Sequence, residues 1–247
     1  MDISVTISQK QFTVFQIVSS TIIILLGLGA YLFEHFTGHA SLMGFLWLFN
    51  VESEQSIPTY YSVINLLLAS ILLIVVYFYE RNMQSKHSKY WLFLSLLFVF
   101  LSMDESASIH EKFQLVHNSL VTKGYIPPLL ESHQWLPFGV LFVVIIGFIM
   151  LPFLKKLPNR TRTLFLLSAF IFLAGALGFE YLGSWMLSND IVGDKSEFIY
   201  KIRRIFEEGF EIYGIVLFNI TLFHELLLRS INLNISLNSD RSIDSKL

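Results

Sequence analysis

The amino-acid sequence predicts an all-α membrane protein, a bundle of about six transmembrane helices. Its 247 residues are 54% hydrophobic, include 24 Phe and are only 15% charged, whereas about a quarter of the residues of soluble domains are charged. The apolar residues fall in six stretches long enough to cross the roughly 30 Å hydrocarbon core of a bilayer. The chain is therefore predicted to be a multi-pass integral membrane protein.

The first predicted span, 12–34, is too long for the core of a signal peptide and is followed by no clear small-residue cleavage site, so we expect it to be retained. The spans together define a membrane domain over 1–229. The remainder, 230–247, is rich in Asn, Ser and Asp and is predicted to be a disordered tail. The other five spans lie at 60–79, 91–112, 137–154, 163–185 and 204–228.

The loops predict the orientation and one further membrane element. Residues 36–59 are half apolar but too short to cross the bilayer, so they suit an interfacial or re-entrant segment. The side that holds both termini carries 11 Lys and Arg, against 6 on the other side. By the positive-inside rule, both termini are predicted to be cytoplasmic.

The composition also excludes several classes of function. There is no cysteine, so disulfides, thiolate metal sites and cysteine nucleophiles are excluded. A net charge of −2 gives no reason to expect a nucleic-acid partner. Membrane lipids are the only partners that the sequence predicts.

Ionisable residues continue the apolar run of the third span. No Gly or Pro separates Trp91 from Asp104, Glu105, His110 and Glu111, so all are predicted to share one helix. Asp104 then lies about 20 Å along a helix that needs about 30 Å to cross the membrane. A charge at such depth costs about 2.5–3.5 kcal/mol on insertion scales and usually marks a functional site.

Acids of the other spans are predicted at the same, outer level of the membrane. Glu180 lies near the outer end of the fifth span, and Glu207, Glu208 and Glu211 open the sixth. The cytoplasmic ends carry mainly Lys and Arg clusters instead. We therefore expect acids from separate helices to meet in one pocket beneath the outer headgroups.

Helical phase and local spacing refine this picture. Asp104, Ser108 and Glu111 would fall within about 60° of one another and form one polar stripe. Small residues of the fifth span, Ala174, Gly175 and Gly178, would let neighbouring helices approach closely below Glu180.

The sixth span also offers a plainer interpretation of its acids. Arg203 with Glu207 and Arg204 with Glu208 have the i,i+4 spacing of ordinary ion pairs. Glu211 has no such local partner, so an ordinary ion pair does not explain its presence in the span.

Neighbouring carboxylates repel one another and cannot all stay ionised, so a cluster of carboxylates with a histidine must take up a proton or another cation. Oxygen and imidazole ligands without sulfur suit zinc, manganese or iron, and a metal-bound water would supply a hydrolytic nucleophile. The predicted catalytic residues are Asp104, Glu111 and Glu211. The predicted metal ligands are Asp104, His110, Glu111, Glu180, Glu207, Glu208 and Glu211.

Standard metal motifs are absent from the chain. The segment that begins at His110-Glu111 has Gln114 where an HExxH helix needs its second histidine. In architecture alone, a small multi-span chain with acids and histidines near one membrane face resembles the intramembrane metal hydrolases that include the alkaline ceramidases. That resemblance assigns no residue, and the outer-leaflet position of the acids suggests a lipid-like substrate.

Three classes of function therefore remain open. The first is a metal-dependent hydrolase acting on a lipid-like substrate. The second is a proton- or cation-coupled transporter or channel, in which the same acids bind the ion without catalysis. The third is a non-catalytic assembly protein whose polar groups fasten helices together.

Overall fold

The structure, a computed structural model, describes residues 7–39, 41–127 and 132–231. All regular elements among them are helical, and six helices are long and apolar enough to cross a membrane. The predicted helical membrane bundle is confirmed. The helices are α1 (Gln9–Thr37), α2 (Phe45–Leu48), α3 (Ile57–Asn82), α4 (Ser88–Ala107), α5 (Phe113–Thr122), α6 (Leu136–Leu154), α7 (Asn159–Leu173), α8 (Glu180–Ser188) and α9 (Phe198–Leu228).

The six spans are α1, α3, α4, α6, the continuous α7–α8 segment and α9. Between α7 and α8, residues Ala174–Phe179 form a π-helix. The predicted interfacial segment contains a 3-10 turn, Leu42–Gly44, and the single-turn helix α2. Most of the predicted tail, 232–247, lies outside the described residues, and the cytoplasmic location of the termini stays a prediction.

Local sequence explains where the first two spans begin and end. Ser8 and Gln11 form a capping box at the start of α1, in which the Ser8 hydroxyl accepts the Gln11 backbone N–H at 3.2 Å. α1 ends at Gly38, whose φ of 69° suits glycine. Ser56 caps α3, and Pro58 occupies its first turn, where a missing N–H costs no hydrogen bond.

Helix α9 lies at the centre of the bundle and packs against α1, α3 and α7. Over half of its most apolar stretch is buried, and Asn219 donates a 3.1 Å hydrogen bond to the backbone oxygen of Asn65 in α3. The periphery is apolar: Phe15, Phe148 and Phe170 are 67–70% exposed. Side chains of this kind are expected to face lipid.

Candidate functional site

The third membrane helix ends before most of its predicted polar stripe. α4 stops at Ala107, and Ser108 adopts left-handed backbone angles of φ 44° and ψ 49°. A 3-10 turn, His110–Lys112, and the separate helix α5 follow. Glu111 therefore lies on a different element from Asp104 and is exposed. The predicted stripe of Asp104, Ser108 and Glu111 is wrong, because no continuous helix connects them.

The Asp104 carboxylate contacts His110 just after this break. It accepts the backbone N–H of His110 at 2.7 Å and lies 3.0 Å from the ring Nδ1 of His110. Asp side chains that bond nearby backbone in this way compete with helix formation. Burial favours the neutral ring, but the hydrogen bond and negative charge of Asp104 outweigh it, so the pKa of His110 is raised above 6.5. Asp104 and His110 thus form a local pair.

The π-helix brings the fifth span against α9 at Gly175. A Cβ atom on Gly175 would lie 2.6 Å from Cγ of Glu211 and 2.7 Å from the backbone oxygen of Glu207, so only glycine fits. The predicted close approach is confirmed there, whereas Gly178 faces open space. Glu180 begins α8 directly after the π-helix, on the same side of the bundle as the first turns of α9.

Two arginines of α9 lie beside these acids, and each forms one ion pair. Arg203 and Glu207 are both buried and are paired, as their spacing predicts. Arg204 instead reaches Glu52, in the segment after α2, at 2.8 Å. The predicted pair of Arg204 with Glu208 is therefore wrong, because a tertiary partner replaces the local one.

Three acids of this region keep no basic partner. In the described part of the chain, no Lys, Arg or His nitrogen lies within 4.0 Å of the carboxyl groups of Glu105, Glu208 or Glu211. Glu208 and Glu211 lie within electrostatic range of each other and of Glu105, Glu180 and Glu207. The carboxyl group of Glu180 also lies within hydrogen-bonding reach of that of Glu207. We call these five residues the carboxyl cluster.

His133 connects the carboxyl cluster to the loop before α6. Its Nε2 lies 3.2 Å from Oε1 of Glu180, and its Nδ1 lies 2.9 Å from the hydroxyl of Ser132. That hydroxyl in turn donates to the hydroxyl of Ser184 at 3.0 Å. Burial lowers the pKa of His133 to about 4, although the charge of Glu180 opposes this. The ring is therefore neutral near pH 7, with a proton on one nitrogen and a lone pair on the other.

The structure brings four of the predicted site residues together in the carboxyl cluster and places the Asp104–His110 pair at its edge, within electrostatic range of Glu105 and Glu180. Glu180, Glu207, Glu208 and Glu211 lie together, with Glu105 as a fifth member that the predicted set omits. Asp104 and His110 bind each other, and Glu111 lies outside the cluster. Over residues 7–39, 41–127 and 132–231, no three His, Asp or Glu side chains are arranged to hold a metal ion. The metal centre and the catalytic roles stay predictions.

The comparison with known families covers all of these residues. Positions 20–226 match the family described as a domain of unknown function, DUF8692. The chain belongs to this family. No curated protein and no solved structure matches it.

The opposite end of this DUF8692 bundle carries charges of another kind. Arg229 lies 3.2 Å from Glu80, pairs with Glu225 and places its guanidinium 5.4 Å from the centre of the Trp91 ring. Glu225 is buried and also accepts a 2.5 Å hydrogen bond from Thr161. Four helices, α3, α4, α7 and α9, meet in this network, which we call the Arg229 network. Each of its charges has a partner.

Proposed function

We propose that this protein binds a cation, in the first place a proton, at the carboxyl cluster and acts as a proton- or cation-coupled transporter or channel. The observation that carries the proposal is the excess of acid. Three helices contribute the five carboxyl groups of the cluster. Glu207 alone among them forms an ion pair with a basic residue of its own helix, and Glu180 contacts the neutral ring of His133.

The acids without a basic partner are half-buried in a membrane-spanning bundle, which makes their excess of charge costly unless something compensates it. An unpaired ion loses several kcal/mol of hydration in a medium of low dielectric constant, and neighbouring carboxylates repel one another. The groups therefore titrate together, and a proton or another cation must enter as negative charge accumulates. An acid that gains and loses a cation inside a membrane is the working part of many ion pathways.

The contacts of His133 supply a route from the cluster toward the loop before α6. Nδ1–H can donate to the Ser132 hydroxyl, and that hydroxyl donates to Ser184. Among the described residues Nε2 makes no hydrogen bond, but it lies 3.2 Å from Oε1 of Glu180, so a protonated Glu180 that reorients slightly can donate to it. A neutral imidazole that accepts on one side and donates on the other is suited to passing a proton.

Ion flux into reconstituted vesicles tests this proposal. We expect the wild-type protein to pass protons or a monovalent cation down an imposed gradient, and Glu211→Gln to lower the flux at least about tenfold, because it removes a member of the carboxyl cluster. Glu111→Gln, an exposed acid outside the cluster, is the matched control and should retain the flux. Equal flux in wild type and Glu211→Gln, or none under any gradient, would refute the proposal.

One observation favours the metal-dependent hydrolase as a second candidate. Asp104 contacts Nδ1 of His110, and a carboxylate in that position orients many metal-binding histidines so that Nε2 can coordinate the ion. A divalent ion such as zinc, manganese or iron would also neutralise the nearby acids. Elemental analysis of the purified protein decides between the candidates. A stoichiometric metal that is lost in His110→Gln supports this one, and a metal-free protein rejects it.

A further inference from the structure

A second polar site lies beside the carboxyl cluster, at the end of the bundle where α1 finishes. A cavity of about 320 Å³ opens there between α1, α2, the loop before α9 and α9 itself. It contains two acids, two lysines and two aromatic rings. The side chains that define its chemistry are Tyr31, Glu34, Trp47, Glu52, Lys195 and Lys201.

A small cluster of buried side chains packs beside this cavity. Tyr31, Val51 and Ile205 form a small buried core that holds the segment after α2 against α1 and α9. The Tyr31 hydroxyl donates to the side chain of Asn50 at 2.8 Å. A Cβ on Gly27 would lie 2.6 Å from Cγ1 of Val51, so glycine is required for this close packing. Buried packing and the Tyr31–Asn50 hydrogen bond therefore define the shape of the cavity.

The mouth of the cavity is expected to lie at the level of the headgroups. Next to it, α2 and the preceding 3-10 turn leave Met43 98%, Phe45 63% and Trp47 59% exposed. A short helix with exposed aromatic and aliphatic side chains is typical of a segment lying in the membrane interface, and Trp prefers that level. A ligand in the cavity can thus keep acyl chains in the bilayer.

The charges in the cavity complement a ligand that carries both signs. Glu34 contacts Lys201 at 2.7 Å and Glu52 contacts Arg204 at 2.8 Å, yet a carboxylate offers about four lone-pair sites, so each can accept further donors. Lys195 is exposed, and within the described residues no carboxylate lies within 4.0 Å of it. Lysine ammonium groups suit a phosphate.

The aromatic lining fits the cationic half of such a ligand. The ammonium of Lys201 already lies 5.7 Å from the centre of the Tyr31 ring, which is the distance of a cation–π contact. Trp47 lines the same cavity, and the face of a Trp ring binds cations more strongly than that of Tyr or Phe. An ammonium group can therefore lie among Trp47, Glu34 and Glu52 while a phosphate faces Lys195.

From these observations we infer that the cavity binds the headgroup of a zwitterionic phospholipid, with its phosphate at Lys195 and its ammonium among the acids and Trp47. Lys195 offers the phosphate an ammonium group that has no carboxylate partner among the described residues. Glu34 and Glu52 keep free lone pairs after forming their ion pairs, and together with Trp47 they can accept the ammonium of the headgroup. The headgroup of phosphatidylglycerol would make the phosphate contact without the ammonium contacts and would bind more weakly.

Lipid binding to the purified full-length protein tests this inference. Native mass spectrometry with added phosphatidylethanolamine and phosphatidylglycerol should show preferential retention of phosphatidylethanolamine. Trp47→Ala and Lys195→Ala should each weaken this binding about fivefold. Both side chains are exposed, so their removal leaves the fold intact. Trp185→Ala and Lys123→Ala, also at exposed positions, are the matched controls and should bind normally.

A soluble headgroup separates a lipid site from a site for a free metabolite. Glycerophosphoethanolamine should compete only at concentrations far above those of the lipid, because it has no acyl chains to remain in the bilayer. Equal binding of phosphatidylglycerol, unchanged binding in Trp47→Ala and Lys195→Ala, or a soluble headgroup that binds as tightly as the lipid would each overturn the inference.

Discussion

The two ends of the bundle treat their charged side chains in opposite ways. In the Arg229 network, one guanidinium is shared by Glu80 and Glu225, and Thr161 satisfies a further carboxylate oxygen. In the carboxyl cluster, acids from three helices meet, and several have no base beside them. Where each charged side chain has a partner of opposite charge, the ion pairs hold the helices together. Where acids have no basic partner, an exchangeable cation can bind. From this difference we propose a structural role for the Arg229 network and a functional role for the carboxyl cluster.

The largest effect on stability is expected in the Arg229 network. Arg229→Leu leaves Glu225, which is 2% exposed, without its cation, and breaking a buried pair in this way costs about 3 kcal/mol or more. Thermal unfolding in detergent should show a clear loss of stability. Arg160→Leu, at an exposed position of the same end, should unfold like the wild type. If both variants unfold alike, the Arg229 network does not fasten the helices.

The carboxyl cluster should respond to the loss of charge in the opposite direction. Glu208→Gln keeps the side-chain shape but removes an acid that has no basic partner, so it relieves repulsion. We expect unfolding at the same or a higher temperature than in the wild type, together with loss of ion flux. A destabilisation as large as that of Arg229→Leu would show that Glu208 is a structural residue and would remove the contrast between the two ends.

The close approach at the π-helix gives an effect of intermediate size. Gly175→Ala places a methyl group 2.6 Å from Cγ of Glu211 and 2.7 Å from the backbone oxygen of Glu207. Crowding of this kind costs about 1–3 kcal/mol and should disturb the geometry of the carboxyl cluster. Gly178→Ala meets nothing within 4 Å and is the control. Equal stability of the two variants would contradict the close helix contact.

The smallest effect is a dependence of stability on pH that comes from His110. Because the pKa of His110 is raised above 6.5 in the folded protein, its pairing with Asp104 stabilises fully below pH 6.5 and is lost as the pH rises through the folded value. The pair is partly exposed, so solvent screens it and we expect under about 1 kcal/mol. His110→Gln should flatten the fall in unfolding temperature on the alkaline side of pH 6.5. An unchanged slope would contradict the pairing.

The sequence predicts the fold better than it predicts the site, for physical reasons. Hydropathy is a property of contiguous residues, so six spans follow from it directly. The end of α4 at Ser108 carries no such signal, because a serine in left-handed conformation resembles any other serine in the sequence. The polar run around Asp104 and Glu105 is the one local hint, since such residues bond nearby backbone readily.

Partners that are distant along the chain explain the remaining differences. Arg204 lies one helical turn from Glu208, yet Glu52 takes its charge. His133, in a loop that also carries prolines, reaches Glu180 only after the chain has folded. Glu105 of α4 lies within electrostatic range of Glu208 and Glu211 of α9, while its neighbour Asp104 binds His110. Spacing rules describe one helix at a time, and these contacts join different elements.

Infrared spectroscopy of the membrane-embedded protein tests the central claim most directly, because a protonated carboxyl group absorbs apart from an ionised one. At neutral pH the wild-type protein should show protonated carboxyl groups that Glu211→Gln and Glu208→Gln reduce. Glu225→Gln should leave that signal unchanged, since Glu225 is paired with Arg229. Carboxyl groups that are all ionised at neutral pH, or a protonated signal that disappears only in Glu225→Gln, would contradict the account.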